Sequence, residues 1–235
     1  MNGAPRAIAR NLCLFVRPAL QGQVKTRLAR EIGAPAALAA YAALVDHAVN
    51  HLQVAPDVAR CLWVAGDPAD ASVIPWRNRW RATVQPQQGT SLGERMRHTF
   101  LQHARADARG DGATIIVGSD CPTVDAVLVR QAFAALEDAD VALAPAEDGG
   151  FGLIGVRHRA TASMDALLDR IDWGTAQVYE QTVAALARRG CQPARLAQVW
   201  DVDTHADWLR FLETFPRAEA TANAASGCRE GRSTH

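Results

Sequence analysis

Acidic side chains stand in this chain where apolar runs give way to turns. The run Ala113-Thr114-Ile115-Ile116-Val117 passes without polar alternation into Gly118-Ser119-Asp120-Cys121-Pro122. A β-branched run of that kind suits a central strand covered on both faces. Gly118 permits a tight turn. Asp120 then lies just past the carboxyl end of the strand, where open α/β sheets bind their ligands. A carboxylate there can hold a divalent metal against a phosphate, or it can cap the next helix. Pro122 fits the first turn of that helix. Cys121 has no histidine near it in sequence to act as a base, so a nucleophile is not expected there.

Two further acidic stretches share this placement. Glu147-Asp148-Gly149-Gly150 lies between two strand-sized runs, and Trp200-Asp201-Val202-Asp203-Thr204 precedes the last helical pattern. Hard cations such as Mg²⁺ or Mn²⁺ prefer oxygen ligands, commonly one or two carboxylates plus substrate phosphates. Asp120 with either Asp201 or Asp203 could supply such a pair. Asp203 could instead order the helix start at Thr204, and Glu147 and Asp148 could simply form an exposed turn.

The basic counterpart is Gly22-Gln23-Val24-Lys25-Thr26-Arg27-Leu28. A glycine, two cations and a helix start make a phosphate cradle plausible. It is neither a Walker A loop nor a Rossmann fingerprint. Lys25 is the single lysine among 25 basic residues, the rest being arginine. A lysine kept at one place suggests a need for a compact point charge. Gln85 to Arg95, with Gly89 and Thr90 at its centre, is a second glycine-containing loop that could read a base edge or ribose.

These groups need a frame. Strand-sized runs at 12–16, 61–65, 82–85, 114–117, 141–144, 151–156 and 195–199 alternate with helical patterns at 26–53, 92–108, 124–136, 177–189 and from Thr204 on. The helical stretch 26–53 breaks near Gly33-Ala34-Pro35. Ser91 with Glu94, and Thr204 with Asp207, have capping-box spacing. The alternation predicts a three-layer α/β/α sandwich with a mostly parallel central sheet. One domain over 11–215 is expected, with a disordered tail over 216–235.

Composition narrows the function. The 235 residues carry 25 basic and 25 acidic side chains, so formal charge is zero. A nucleic-acid partner is therefore not expected. No apolar run is long enough to span a membrane. The odd count of five cysteines, none in a C-x-x-C pair, predicts a cytoplasmic protein without a disulfide framework.

Taken together, these stretches resemble the bacterial DUF2064 group, also called the radical-SAM/selenodomain-associated transferase 1 family. The resemblance covers residues 12–215. It is carried by Val24-Lys25-Thr26-Arg27-Leu28, Leu92-Gly93-Glu94-Arg95-Met96, Gly118-Ser119-Asp120-Cys121-Pro122, Glu147-Asp148-Gly149-Gly150 with Leu153-Ile154-Gly155, and Trp200-Asp201-Val202-Asp203-Thr204. It implies a glycosyltransferase-A (nucleotide-diphospho-sugar transferase) fold, with a nucleotide held across the strand ends. It also implies that Asp120 and Asp203 hold a divalent metal, that Lys25 and Arg27, beyond the Gly22 of the cradle read above, meet phosphates, and that Gly89 and Thr90 lie near the base. Phe151-Gly152 stands where the family usually has two tyrosines, and Trp173-Gly174-Thr175 where Trp-Ser-Thr is usual. Both departures bear on the acceptor pocket.

The leading expectation is a metal-dependent transferase using a nucleotide-diphospho-sugar donor and a small-molecule acceptor. Asp120 with Glu147 or Asp148 would carry the catalysis. One alternative is a nucleotidyltransferase joining an NTP to a phosphorylated small molecule with pyrophosphate release. Another is a nucleotide-binding protein without catalysis.

Overall fold

The computed structural model describes residues 8–164, 168 and 171–216. Within them the apolar runs become a seven-stranded sheet. Its strands are β1 (Arg10–Val16), β2 (Val58–Val64), β3 (Thr83–Pro86), β4 (Ala113–Gly118), β5 (Val141–Pro145), β6 (Phe151–Arg157) and β7 (Ala194–Arg195). The order across the sheet is β3-β2-β1-β4-β6-β5-β7. β1 to β4 are mutually parallel, β6 runs antiparallel to β4 and β5, and β7 is parallel to β5. Nearly all of the expected tail, 216–235, lies outside the described residues.

The helices are α1 (Thr26–Ile32), α2 (Ala34–His51), α3 (Val73–Trp80), α4 (Leu92–Ala106), α5 (Ala126–Asp138), α6 (Thr161–Met164), α7 (Val178–Ala187) and α8 (His205–Thr214), with a 3-10 turn at His158–Ala160. Alternate strand side chains feed two cores. Leu12, Leu14, Val16, Ile115 and Val117 pack with α2, α3 and α5. Cys13, Trp63, Ile116 and Ile154 pack with α4 and α7 on the other face. Burial on both faces is why these strands read as continuous apolar runs. The result is a three-layer α/β/α sandwich.

Two expectations need correction. α3 was not anticipated, because arginines and Asn78 interrupt its apolar residues. Val73, Trp76 and Trp80 nevertheless fall at helical spacing and are buried. The helix after β4 begins at Ala126, so Pro122 is not in its first turn. Its N-cap is Asp125, whose Oδ1 accepts from the N–H groups of Val127 and Leu128 at 2.9 and 2.8 Å. Asp120 is therefore released from a capping role. Both capping boxes, at Ser91/Glu94 and Thr204/Asp207, are present as expected.

Candidate active site

The carboxyl ends of β1 and β4 bring the site together with the chain that runs on beside β5. Arg17 follows β1, and Asp120 follows β4. After β7 the chain stays paired to β5 as far as Val199, opposite Ala146. Trp200-Asp201-Val202-Asp203 then turns toward β4. The Val202 N–H donates to the Asp120 carbonyl at 3.0 Å, which ties the two acidic loops together. Buried Trp200 and Val202 anchor the second loop among α1, α2 and α8. The Asp207 carboxylate of the α8 capping box accepts from the Asp203 N–H at 3.1 Å and fixes the backbone there.

Lys25 stands where these loops converge. Its ammonium donates to Asp120 Oδ2 at 2.9 Å and to Asp203 Oδ1 at 3.1 Å. Arg27 donates to the second oxygen of Asp203 at 3.2 Å. The Lys25 side chain is 7 % exposed, whereas the Asp120 and Asp203 carboxylates are 38 % and 37 % exposed and face open space. Burial alone would disfavour the charged ammonium, but the two carboxylates outweigh it and raise the Lys25 pKa. Burial likewise opposes the charged form of Asp120, and Lys25 overcomes it, lowering that pKa. Lys25 also has left-handed backbone angles, φ 45° and ψ 48°, just before α1. That conformation costs a non-glycine residue about 1–2 kcal/mol, and such strain concentrates at functional sites.

A cavity of about 580 Å³ opens beside this group. Arg17, Lys25, Arg27 and Arg95 supply its cations, Asp120 and Asp203 its acids, and Phe15, Met96, Ile116 and Phe151 apolar surface. The charge pattern suits a phosphorylated ligand with a less polar part. Tyr41 from α2 holds Arg17 in place: its hydroxyl accepts from the Arg17 N–H at 2.7 Å and donates to the Arg17 carbonyl at 3.0 Å. Burial pushes the Tyr41 pKa up to about 12, so it stays a neutral hydroxyl.

Not every expected residue reaches the cavity wall. Gly22, at φ 79°, shapes the loop before Lys25 without lining the cavity. Gly89 and Thr90 lie at the foot of α4. The Thr90 hydroxyl donates to Glu94 Oε2 at 2.8 Å, and the Gly89 carbonyl accepts from Arg95 Nε at 3.1 Å. A side chain on Gly89 would meet Glu94 Cβ at 2.6 Å, at a φ of 130° that also favours glycine. These two residues position Arg95, which does line the cavity. Glu147 makes a two-pronged ion pair with Arg210, at 2.6 and 3.0 Å. Asp148 Oδ1 accepts from the Gly150 N–H at 2.8 Å and shapes the turn. Asp148 is still close enough to Asp201 to raise its pKa.

Asp201 is the acid whose pKa departs furthest upward, to about 7. Burial is the main cause, followed by repulsion from Asp148, Asp120 and Asp203. Cys121 is buried, which pushes its thiol well up, and the Asp120 and Asp201 charges add to this. That environment is the reverse of what activates a thiolate. The roles of Arg17, Tyr41 and Arg95 were not read from the sequence. Arg95 had a usable signal, one turn beyond the Ser91 cap. Tyr41 had none, since it sits among the apolar positions of α2.

The donor set can be tested against a divalent metal. Among the described residues no group of three or more His, Cys, Asp or Glu side chains is arranged to enclose one. Mg²⁺ does not require such a cage, because it keeps waters and phosphate oxygens. Asp120 Oδ2 and Asp203 Oδ1 already converge on one cationic point, the Lys25 ammonium. Two open carboxylates aimed at a single cation fit a metal shared with a substrate phosphate.

The family model described as "Uncharacterized protein conserved in bacteria (DUF2064)" matches residues 48–175, just over half of the chain. The chain belongs to the DUF2064 family. Its structure is similar to that of a Desulfovibrio desulfuricans G20 protein provisionally assigned as a nucleotide-diphospho-sugar transferase. The TM-score is 0.76 at 28 % identity, covering 93 % of this chain and 99 % of that one. CMP:2-keto-3-deoxy-manno-octonic acid synthetase, complexed with CTP, shares the fold at TM-score 0.57 and 12 % identity, covering 89 % and 99 % of the two chains. 4-Diphosphocytidyl-2C-methyl-D-erythritol synthase does so at 0.54 and 11 %, covering 87 % and 97 %. No curated protein matches the chain. This DUF2064 chain therefore has a glycosyltransferase-A-like architecture. No helix among its described residues is long and apolar enough to cross a membrane.

Proposed function

We propose that this DUF2064 protein transfers a sugar from a nucleotide-diphospho-sugar to a small-molecule acceptor, with a divalent metal bound at Asp120 and Asp203. The observation that carries this reading is the convergence of Lys25, Asp120 and Asp203 at the mouth of one cavity that also receives Arg17, Arg27 and Arg95. The likeness to the Desulfovibrio protein over 93 % of the chain supports the same reaction class.

The cavity lining supports the phosphate-binding roles in this reading. Arg17, Lys25, Arg27 and Arg95 bind the diphosphate and stabilise the charge that builds on it as the sugar leaves. A metal on Asp120 and Asp203 would supply Lewis-acid neutralisation of the same leaving group. Gly89 and Thr90 form the turn before α4 and hold the Arg95 side chain of that helix. Glu147 is engaged with Arg210, so orientation of the acceptor hydroxyl falls to Asp148.

Four cations around one cavity would also suit a triphosphate, which keeps the nucleotidyltransferase reading in play. Turnover separates the two. The protein is incubated with a panel of nucleotide-sugars and a mixture of small hydroxyl-bearing acceptors, with Mg²⁺ or Mn²⁺, and free nucleoside diphosphate is measured. Release from one donor in wild type and none in Asp120→Asn supports sugar transfer. Pyrophosphate release from an NTP and a sugar phosphate selects nucleotidyl transfer instead. No turnover in either assay overturns both enzymatic readings.

A further inference from the structure

The group at the cavity mouth is closed in charge before any ligand arrives. Asp120 and Asp203 contribute two negative charges, and Lys25 and Arg27 two positive ones. The Lys25 ammonium uses two of its three N–H donors on the carboxylate oxygens that a metal would need. A divalent cation arriving alone must displace Lys25 and leave excess positive charge. A diphosphate arriving alone meets two carboxylates beside the cations. Together the two ligands nearly cancel, and the phosphate offers the displaced ammonium a new partner.

We propose that Lys25 is an internal competitor of the metal. It occupies the Asp120–Asp203 oxygens in the free protein and passes to the diphosphate on loading, so that metal and diphosphate bind together rather than singly. This rests on the reading of the site as one for a nucleotide diphosphate. It gives a reason for a lysine here in a chain that otherwise uses arginine. A compact ammonium can sit between two carboxylates as a metal ion does, whereas a planar guanidinium pairs with one carboxylate edge. The strained backbone of Lys25 fits a residue held in place by its partners.

Mn²⁺ binding to the free protein, read by electron paramagnetic resonance, tests this without any turnover. Lys25→Met should bind Mn²⁺ about tenfold or more tightly than wild type, since a cation within hydrogen-bond distance shifts a carboxylate's affinity for protons by a similar factor. Arg27→Met removes the same charge from an exposed position on Asp203 and should change affinity far less. Equal affinity in wild type and Lys25→Met, or an equal gain in both variants, overturns direct competition. Should Lys25→Met not fold, wild type supplies a second readout. Lys25 is the only lysine, so its acetylation is followed by peptide mass spectrometry apart from the amino terminus. Mn²⁺ raised until electron paramagnetic resonance shows the free protein loaded should expose Lys25 and speed acetylation relative to NaCl of equal ionic strength, and an unchanged rate in the loaded protein overturns the proposal. Pyrophosphate that neither binds wild type with Mg²⁺ nor tightens Mg²⁺ binding defeats the diphosphate reading as well. Pyrophosphate that binds while Lys25→Met leaves Mn²⁺ affinity unchanged defeats the competition alone.

Discussion

The Lys25 ammonium lies 2.9 Å from the Asp120 carboxylate across 95 residues of sequence. It also reaches Asp203, 178 residues away. One buried side chain thus links the loops after β1 and β4 to the acidic loop before α8. Removing either end of this link changes both charge and structure, and the consequences can be separated.

Asp120→Asn keeps the shape of the side chain and removes its charge. Turnover should fall by at least about 10²-fold, the scale for losing one group that stabilises transition-state charge. Circular dichroism should show an intact fold, because the Val202 N–H bonds the Asp120 backbone carbonyl and not the side chain. Unchanged turnover in a folded variant would remove Asp120 from the catalytic machinery.

Lys25→Met leaves two carboxylates facing each other without their shared cation. Breaking a fully enclosed pair costs about 3–5 kcal/mol. Here Asp120 and Asp203 open onto the cavity, so a discounted loss of about 1–3 kcal/mol at pH 7 is expected. The loss has a definite pH dependence. Lys25 lowers the folded-state pKa of Asp120, so the stability it contributes is full above the ordinary carboxylate pKa of about 4 and fades as pH falls below it. The gap between wild type and variant in urea melts should therefore be wide at pH 7 and narrow toward pH 3. A gap that widens in acid would contradict the pairing.

Gly152 lies in β6 against the loop that carries Cys121. A Cβ there would sit 2.7 Å from Cys121 Sγ and 2.7 Å from Val199 Cγ2. Gly152→Ala should destabilise by about 1–3 kcal/mol through overpacking, a fall in Tm of several degrees at about 2–4 °C per kcal/mol. Cys121→Ala alone should leave turnover intact, since the thiol is buried and protonated. The double variant should recover part of the lost stability, a coupling that thermal melts in a double-mutant cycle would measure. The same lack of space explains why a tyrosine cannot occupy this position in this chain.

His47 gives an independent pH signal in the α2–α8 packing. Its ring stacks on His51 at 3.8 Å, meets the edge of Phe211 and faces the Pro122 carbonyl at 2.9 Å. Burial pushes its pKa down to about 4. The unfolded chain, with a histidine pKa of about 6.5, binds the proton first. Stability should therefore decline as pH falls from about 6.5 to 4, by at most about 3 kcal/mol from this residue. His47→Gln should flatten that part of the curve, and an unaltered slope would assign it to other groups such as His103, whose pKa burial also lowers to about 4.

The frame was more legible in the sequence than the site. β1, β2, β4, β5 and β6 could be read from apolar runs, because strands buried on both faces leave no polar alternation to confuse the pattern; β3 is half exposed, and of the run at 195–199 only Arg195 falls in a strand, the two-residue β7. α3 was not read, since its buried Val73, Trp76 and Trp80 alternate with arginines that lie on its outer side. The placement of Asp120 at the end of β4 could be read locally. Whether it capped the next helix could not, because Asp125, also near the helix start, is an equally good cap in sequence terms. The Lys25 contacts were hidden for a different reason. Spacing along the chain says nothing about which loops the sheet order brings together, and β1 neighbours β4 only in the folded sheet. Glu147 illustrates the reverse case, an acid beside a strand whose partner, Arg210, lies on α8.

Thermal stability against a panel of nucleotide-sugars and NTPs, each with and without Mn²⁺, tests the central claim most directly. A ligand at about 100 times its Kd adds about 2.7 kcal/mol. At this size that is a rise of about 5–10 °C. A metal-dependent rise with one nucleotide-sugar in wild type, absent in Asp120→Asn, is the predicted result. A flat response to every nucleotide, with or without metal, would contradict the account of this cavity as a metal-assisted nucleotide-sugar site.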